Sequence, residues 1–152
     1  MAAVAVIGVG YVGLTTAVGL ASLGHDVVGL DTNATRVAAL TTGKSPIYEP
    51  GLDEVLHEVL AAGRLTFTDD YAAALGTASF VFLCLPTPQD QDGSADMAYV
   101  LSAASAAGPH LRSGAVVVTK STVPVGSSDR VAAAVGRHDV EVASEQVVHR
   151  LG

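Results

Sequence analysis

The chain has 152 residues, 49% of them apolar and 15% charged, with a formal net charge of −7. That length fits one domain, which buries roughly 70% of its unfolded surface, and the apolar content excludes an intrinsically disordered chain. Fifteen acidic residues stand against eight basic ones with no basic stripe, which argues against nucleic acid, a partner held through Lys and Arg contacts to phosphate.

A small anionic ligand stays open, because backbone N–H groups hold a phosphate without help from net charge. Cys84 is the one cysteine. A disulfide framework is therefore excluded, and a reduced, cytoplasmic compartment is the expectation. The five histidines are scattered with none at metal-ligand spacing, so no metal is expected.

From Met1 to Gly24 there is no charged residue, a stretch that a hydropathy scan reads as a membrane helix or signal peptide. No Lys or Arg precedes it, and Gly8, Gly10, Gly13 and Gly19 interrupt it. A buried strand, a tight turn and a buried helix explain it better, and no membrane association is expected. The strand is Ala3–Ile7, a β-branched run ending at glycine, and the helix is Tyr11–Leu23, stopped by Gly24. Asp26–Asp31 reads as a second strand, and Ala34–Thr41 as a helix with Asn33 or Thr32 as its N-cap.

An irregular stretch, GKSPIYEPG, follows. Leu52, Val55, Leu56, Val59 and Leu60 then form the apolar stripe of a surface helix over Leu52–Ala61. Arg64–Thr68 is a third strand, Tyr71–Leu75 a short helix after an Asp69–Asp70 cap, and Phe80–Leu85 a fourth strand that is apolar on both faces. A polar loop with Pro86 and Pro88 leads to a helix from Asp96 to about Ala107. Ala115–Thr119 is a fifth strand, Ser127–Val135 a helix and Val140–Ala143 a weak sixth strand. Apolar strands separated by helices imply a parallel sheet covered on both faces. Right-handed crossovers then give an α/β, doubly wound Rossmann fold of about six strands in a single domain.

Gly8-Val9-Gly10-Tyr11-Val12-Gly13 is GxGxxG. Alone it is a weak signal. Here a strand precedes it, a helix and a second strand follow, and an acidic residue, Asp31, closes that strand about 20 positions on. Gly8 permits the tight turn, Gly10 lets a pyrophosphate approach the backbone, and Gly13 lets the helix pack close to the strand. The helix N-terminus offers unpaired N–H groups and a positive dipole end. Asp31 would accept hydrogen bonds from the adenosine ribose and repel a 2′-phosphate, favouring NAD over NADP; Arg36 keeps NADP open. Asp31 as a mere helix cap is the competing reading.

Two further loops follow strand ends, where open α/β sheets bind ligands: Pro86-Thr87-Pro88 and Lys120-Ser121-Thr122-Val123-Pro124. Thr87 and Thr122 either hydrogen-bond cofactor or substrate or cap the following segment. Asp90 to Asp96 lacks the spacing of a calcium loop and reads as a turn into a helix, with Ser94 as a possible cap. Lys44 and Glu49, flanking the proline-rich loop, read as solvated loop charges.

The stretches IGVGYVGL, GLD, GKSPIYEPGL, LCLPTPQ, DGSADMAYV and KSTVPVGSSDRV resemble the UDP-glucose/GDP-mannose dehydrogenase family from about Ala3 to Ser144. The resemblance implies an oxidoreductase that converts the C6 alcohol of a nucleotide sugar, UDP-glucose or a relative, to a carboxylate with two NAD molecules in sequence. An aldehyde forms first; a cysteine captures it, and a thioester is then hydrolysed. It implies that Gly8, Gly10, Tyr11, Val12, Gly13, Asp31, Arg36, Thr87 and Thr122 contact the cofactor. It also implies that Thr122 helps hold the catalytic water near the nicotinamide, and that the full-length protein is a homodimer.

The departures are specific. Residues 145–152 read EQVVHRLG, where the family continues with a motif like NPEFLREG. Aligned without a gap, Val147 and Leu151 stand at the two glutamate positions, with Glu145 out of register. The family's nucleophilic cysteine belongs to a later region, and Cys84, in the fourth strand, reads as a structural thiol. The expectation is therefore an NAD-binding domain over 1–144 with a divergent tail over 145–152, lacking the central helix and substrate domain and inactive alone as a fragment or truncated gene product. A stand-alone NAD-binding module without catalysis is the alternative, as is the Rossmann half of another NAD-dependent dehydrogenase of hydroxyacid type.

Overall fold

The computed structural model describes residues 1–144. Six strands form one parallel sheet in the order β3-β2-β1-β4-β5-β6. They are β1 (Ala3–Ile7), β2 (Asp26–Leu30), β3 (Leu65–Thr68), β4 (Phe80–Leu83), β5 (Val116–Thr119) and β6 (Glu141–Ser144). The order runs outward from β1 in one direction through β2 and β3 and in the other through β4, β5 and β6. The crevice beyond the C-terminal ends of β1 and β4 is therefore the switch point of the topology.

The helices are α1 (Tyr11–Ser22), α2 (Ala34–Thr41), α3 (Leu52–Ala61), α4 (Tyr71–Leu75), α5 (Ala98–Ala107) and α6 (Ser127–Val135), with a 3₁₀ turn at Gly108–His110. Alternate residues of each strand feed two cores, as the two-residue side-chain period of a strand requires. On one face Val4 and Val6 of β1 pack with Leu14 and Val18 of α1 and Leu56 and Val59 of α3. On the other, Ala5 and Ile7 pack with Val81 and Leu83 of β4, Val100 of α5 and Val131 of α6. The expected single-domain, doubly wound α/β sheet is the observed one.

Several boundaries differ from the sequence expectation for local reasons. The fourth strand stops at Leu83 rather than Leu85, because the N–H groups of Lys120 and Ser121 both turn to the Leu83 carbonyl, at 3.0 and 3.2 Å. The fifth helix begins at Ala98 rather than Asp96, since the Asp96 carboxylate accepts the Ala98 N–H at 2.9 Å. Ser94, the possible cap, is instead bonded to Asp92. Asn33 caps α2 by accepting the Arg36 N–H, and Asp70 rather than Asp69 caps α4. The expected divergent tail, 145–152, lies outside the described residues.

Candidate cofactor cleft

A cleft of about 780 Å³ opens at the switch point, within the size range of cofactor sites. Its floor is the turn from β1 into α1. Gly8 has φ +89°, a left-handed conformation that favours glycine, and its N–H donates to the Leu30 carbonyl at 2.8 Å. Gly13 sits so close that a Cβ there would lie 1.6 Å from the Gly8 carbonyl oxygen. At Gly10 the reverse holds: a Cβ would meet no atom of the described residues within 4 Å. Two glycines are thus explained by the protein's own packing, while the space beside the third lies on the cleft side.

Gly10 is also the N-cap of α1, with no side-chain hydrogen bond to the first-turn N–H groups and no acidic residue in that turn. These donors and the helix dipole suit an anion. The chemistry of the loop therefore fits the pyrophosphate of a dinucleotide.

Asp31 stands at the end of β2, 9% exposed. Its Oδ2 accepts the Val9 N–H and an Arg36 guanidinium N–H, each at 3.1 Å, and its Oδ1 accepts the Asn33 N–H at 2.9 Å. A carboxylate offers about four acceptor positions, so one remains for a ribose hydroxyl, and a second appears if Arg36 swings outward. Since Asn33 is the helix cap, Asp31 is not spent on that task.

The opposite wall comes from the two loops after β4 and β5. The Thr87 hydroxyl donates to the Thr122 carbonyl at 2.7 Å, and the buried Ser121 hydroxyl bonds the Leu85 carbonyl at 2.7 Å. These bonds strap the loops together. Thr87 spends its proton on the other loop and keeps its oxygen lone pairs, and neither threonine caps a helix: α5 begins after Met97 and α6 after Gly126. Gly8, Gly10, Tyr11, Val12, Asp31, Arg36, Thr87 and Thr122 all line this one cleft, while Gly13 lies just behind the turn, against Gly8 and Cys84.

Lys120 and Ser121, from the strand-end loop that the sequence reading singled out without assigning them a role, also line the cleft. The sequence reading missed Tyr99, which lines it from the first turn of α5. Half-buried Cys84 lies beneath the glycine turn, its N–H on the Ile7 carbonyl at 2.8 Å. Among the described residues, no cluster of three or more His, Cys, Asp or Glu could hold a metal ion. No described helix is long and apolar enough to cross a membrane.

Comparison with known proteins agrees with this geometry. Residues 2–149 match the model of the UDP-glucose/GDP-mannose dehydrogenase family, NAD binding domain. A UDP-glucose 6-dehydrogenase of Pseudomonas aeruginosa is 49% identical over 126 residues, covering 83% of this chain and 28% of that protein. One from Bacillus subtilis is 41% identical over 144 residues, covering 95% and 33%. The solved structure of a UDP-glucose dehydrogenase from the archaeon Pyrobaculum islandicum superposes with a TM-score of 0.87 at 43% identity, over 95% of this chain and 35% of that one. The chain spans about a third of the length of these relatives. By its family match, the chain belongs to the UDP-glucose/GDP-mannose dehydrogenase family, of which it is an NAD-binding domain.

Proposed function

We propose that this chain, as one domain over residues 1–144, is the cofactor half of a nucleotide-sugar 6-dehydrogenase. Gly8, Gly10, Tyr11 and Val12 hold the pyrophosphate of NAD on a turn that Gly13 keeps closely packed, Asp31 and Arg36 its adenosine ribose, and Thr87 and Thr122 its nicotinamide half. Bound NAD supplies the hydride acceptor for oxidation of the sugar C6 alcohol, twice per carboxylate formed. The protein's part is to fix the dinucleotide against the substrate carbon. To Thr122, which lines the cleft, we assign the further role of helping to hold the catalytic water.

The observation that carries this reading is the open space beside Gly10 at the uncapped start of α1, with the Asp31 carboxylate bonded to the same turn. The relatives are about three times as long as the matched region. We therefore assign this chain cofactor binding and place the thiol chemistry, the nucleotide-sugar site and the homodimer contacts of the whole protein outside these 152 residues. Cys84 lies beneath the glycine turn against Gly13 and also lines the cleft; we assign it a structural role there.

Equilibrium titration of the purified chain with NAD and NADP tests the proposal. Tighter binding of NAD is expected; equal affinity overturns the specificity assigned to Asp31, and binding of neither overturns the cofactor assignment. Incubated with UDP-glucose and NAD, the chain alone is expected to give no turnover. Sustained NADH formation contradicts the placement of the nucleophile elsewhere.

A further inference from the structure

Tyr11, the first residue of α1, is 53% exposed on the rim of the cleft. Its hydroxyl donates to Glu49 Oε2 at 2.8 Å across 38 positions of sequence. Glu49 belongs to the irregular stretch before α3, from which no residue lining the cleft comes. The fold does not need this bond to place either partner. His57 Nε2 lies 2.9 Å from the Gly43 carbonyl oxygen at one end of the stretch. Half-buried Ile47 packs into the core beneath α1 and α3, and the Leu52 N–H donates to the Glu49 carbonyl at 3.0 Å. The backbone of α1 is fixed by its own helix. What the bond fixes is the phenol ring.

We infer that Glu49 is a positioning residue for the dinucleotide: its carboxylate holds the Tyr11 phenol on the rim of the cofactor cleft. This inference rests on the proposed cofactor site and names a residue outside it. One physical consequence favours binding. An exposed tyrosine otherwise samples several rotamers, and a ring held before the ligand arrives loses less entropy on binding. The Glu49 hydrogen bond and charge raise the Tyr11 pKa above its usual value.

The test is NAD affinity of the full chain carrying Tyr11→Phe, Glu49→Ala, Glu49→Gln, or Tyr11→Phe combined with Glu49→Ala, each alongside its melting temperature without ligand. Tyr11→Phe and Glu49→Ala are expected to weaken NAD binding about fivefold, while unliganded melting moves by less than about 2 °C because both groups are exposed. Glu49→Gln keeps an acceptor oxygen and is expected to retain most of the affinity. The double change is expected to cost no more than either single one, as two partners of one bond require. Additive losses, or loss in Glu49→Gln equal to that in Glu49→Ala, overturn the inference. So does unaltered affinity in both Tyr11→Phe and Glu49→Ala while the parent chain binds NAD. Absence of NAD binding by the parent chain overturns the cofactor assignment itself.

Discussion

The Asp31 carboxylate accepts the N–H of Val9 at 3.1 Å, so the end of the second strand is bonded to the middle of the glycine turn. One side chain thereby shapes the glycine turn and, in the proposed function, offers an acceptor to the ribose. Val9 is itself fully buried, which fixes the turn from below.

Substitution of Asp31 follows from this double role. Asp31→Ala removes the ribose acceptor and is expected to weaken NAD binding by about 10-fold or more, as loss of a hydrogen bond to a charged group does. It also releases Arg36, which is bonded to Oδ2 at 3.1 Å, so NADP is expected to lose less affinity than NAD or to gain. Parallel titrations of both nucleotides check this; a proportional loss for the two contradicts it.

The glycines of α1 separate packing from propensity. A Cβ on Gly13 would meet the Gly8 carbonyl oxygen at 1.6 Å, so Gly13→Ala is expected to destabilise the fold by more than about 4 kcal/mol. Gly19, within the same helix, has no atom within 4 Å of a built Cβ, and Gly19→Ala is expected to stabilise by about 0.5–1 kcal/mol. Urea unfolding of the two variants measures both signs.

Two neighbouring hydroxyls at the end of β5 are expected to respond in opposite directions. Thr119 is 2% exposed and its Oγ1 has no hydrogen-bond partner among the described residues, so Thr119→Val is expected to stabilise by about 1 kcal/mol. Ser121 is bonded to the Leu85 carbonyl, and Ser121→Ala is expected to cost about 1–2 kcal/mol by leaving that strap unmade. Denaturation midpoints of the two single variants decide the matter.

The Arg137–Asp139 pair gives a pH signature. Arg137 donates to the Gly108 and Leu111 carbonyls at 3.0 and 2.9 Å and forms a two-point pair with Asp139. The Arg137 hydrogen bond holds the Asp139 carboxyl well below its ordinary value of 3.8. A depressed folded-state pKa means that the unfolded chain binds the proton first. The stabilisation is therefore fully present above pH 3.8 and is lost as the pH falls from there through the lower folded-state value. Melting temperatures of the parent chain and Asp139→Asn should differ most near neutrality and converge in acid; a constant difference contradicts the assignment.

Much of this was legible in the sequence because its signals are local. Ala3–Ile7, the glycine turn and α1 follow from β-branched residues, glycine spacing and an apolar helix in immediate succession, and burial of both strand faces announces the parallel sheet. The end of β4 was not legible. Cys84 and Leu85 are as apolar as the strand before them, and only the turning of Lys120 and Ser121 toward Leu83 shows where pairing stops. Tyr11–Glu49 and Val9–Asp31 were invisible for another reason: each joins residues that only the crossovers bring together. Reading Glu49 as a solvated charge correctly gave its exposure but not its partner.

The most direct measurement of the central claim is NAD affinity in Gly10→Ala. A methyl group there meets no atom of the described residues within 4 Å, and the backbone at Gly10 is extended, with φ −73° and ψ −155° rather than a left-handed conformation. The variant is expected to fold with a melting temperature within about 2 °C of the parent chain and to lose NAD affinity by more than about 10-fold, because the methyl fills the space assigned to the pyrophosphate. A Gly10→Ala chain that melts like the parent and binds NAD equally well contradicts the account.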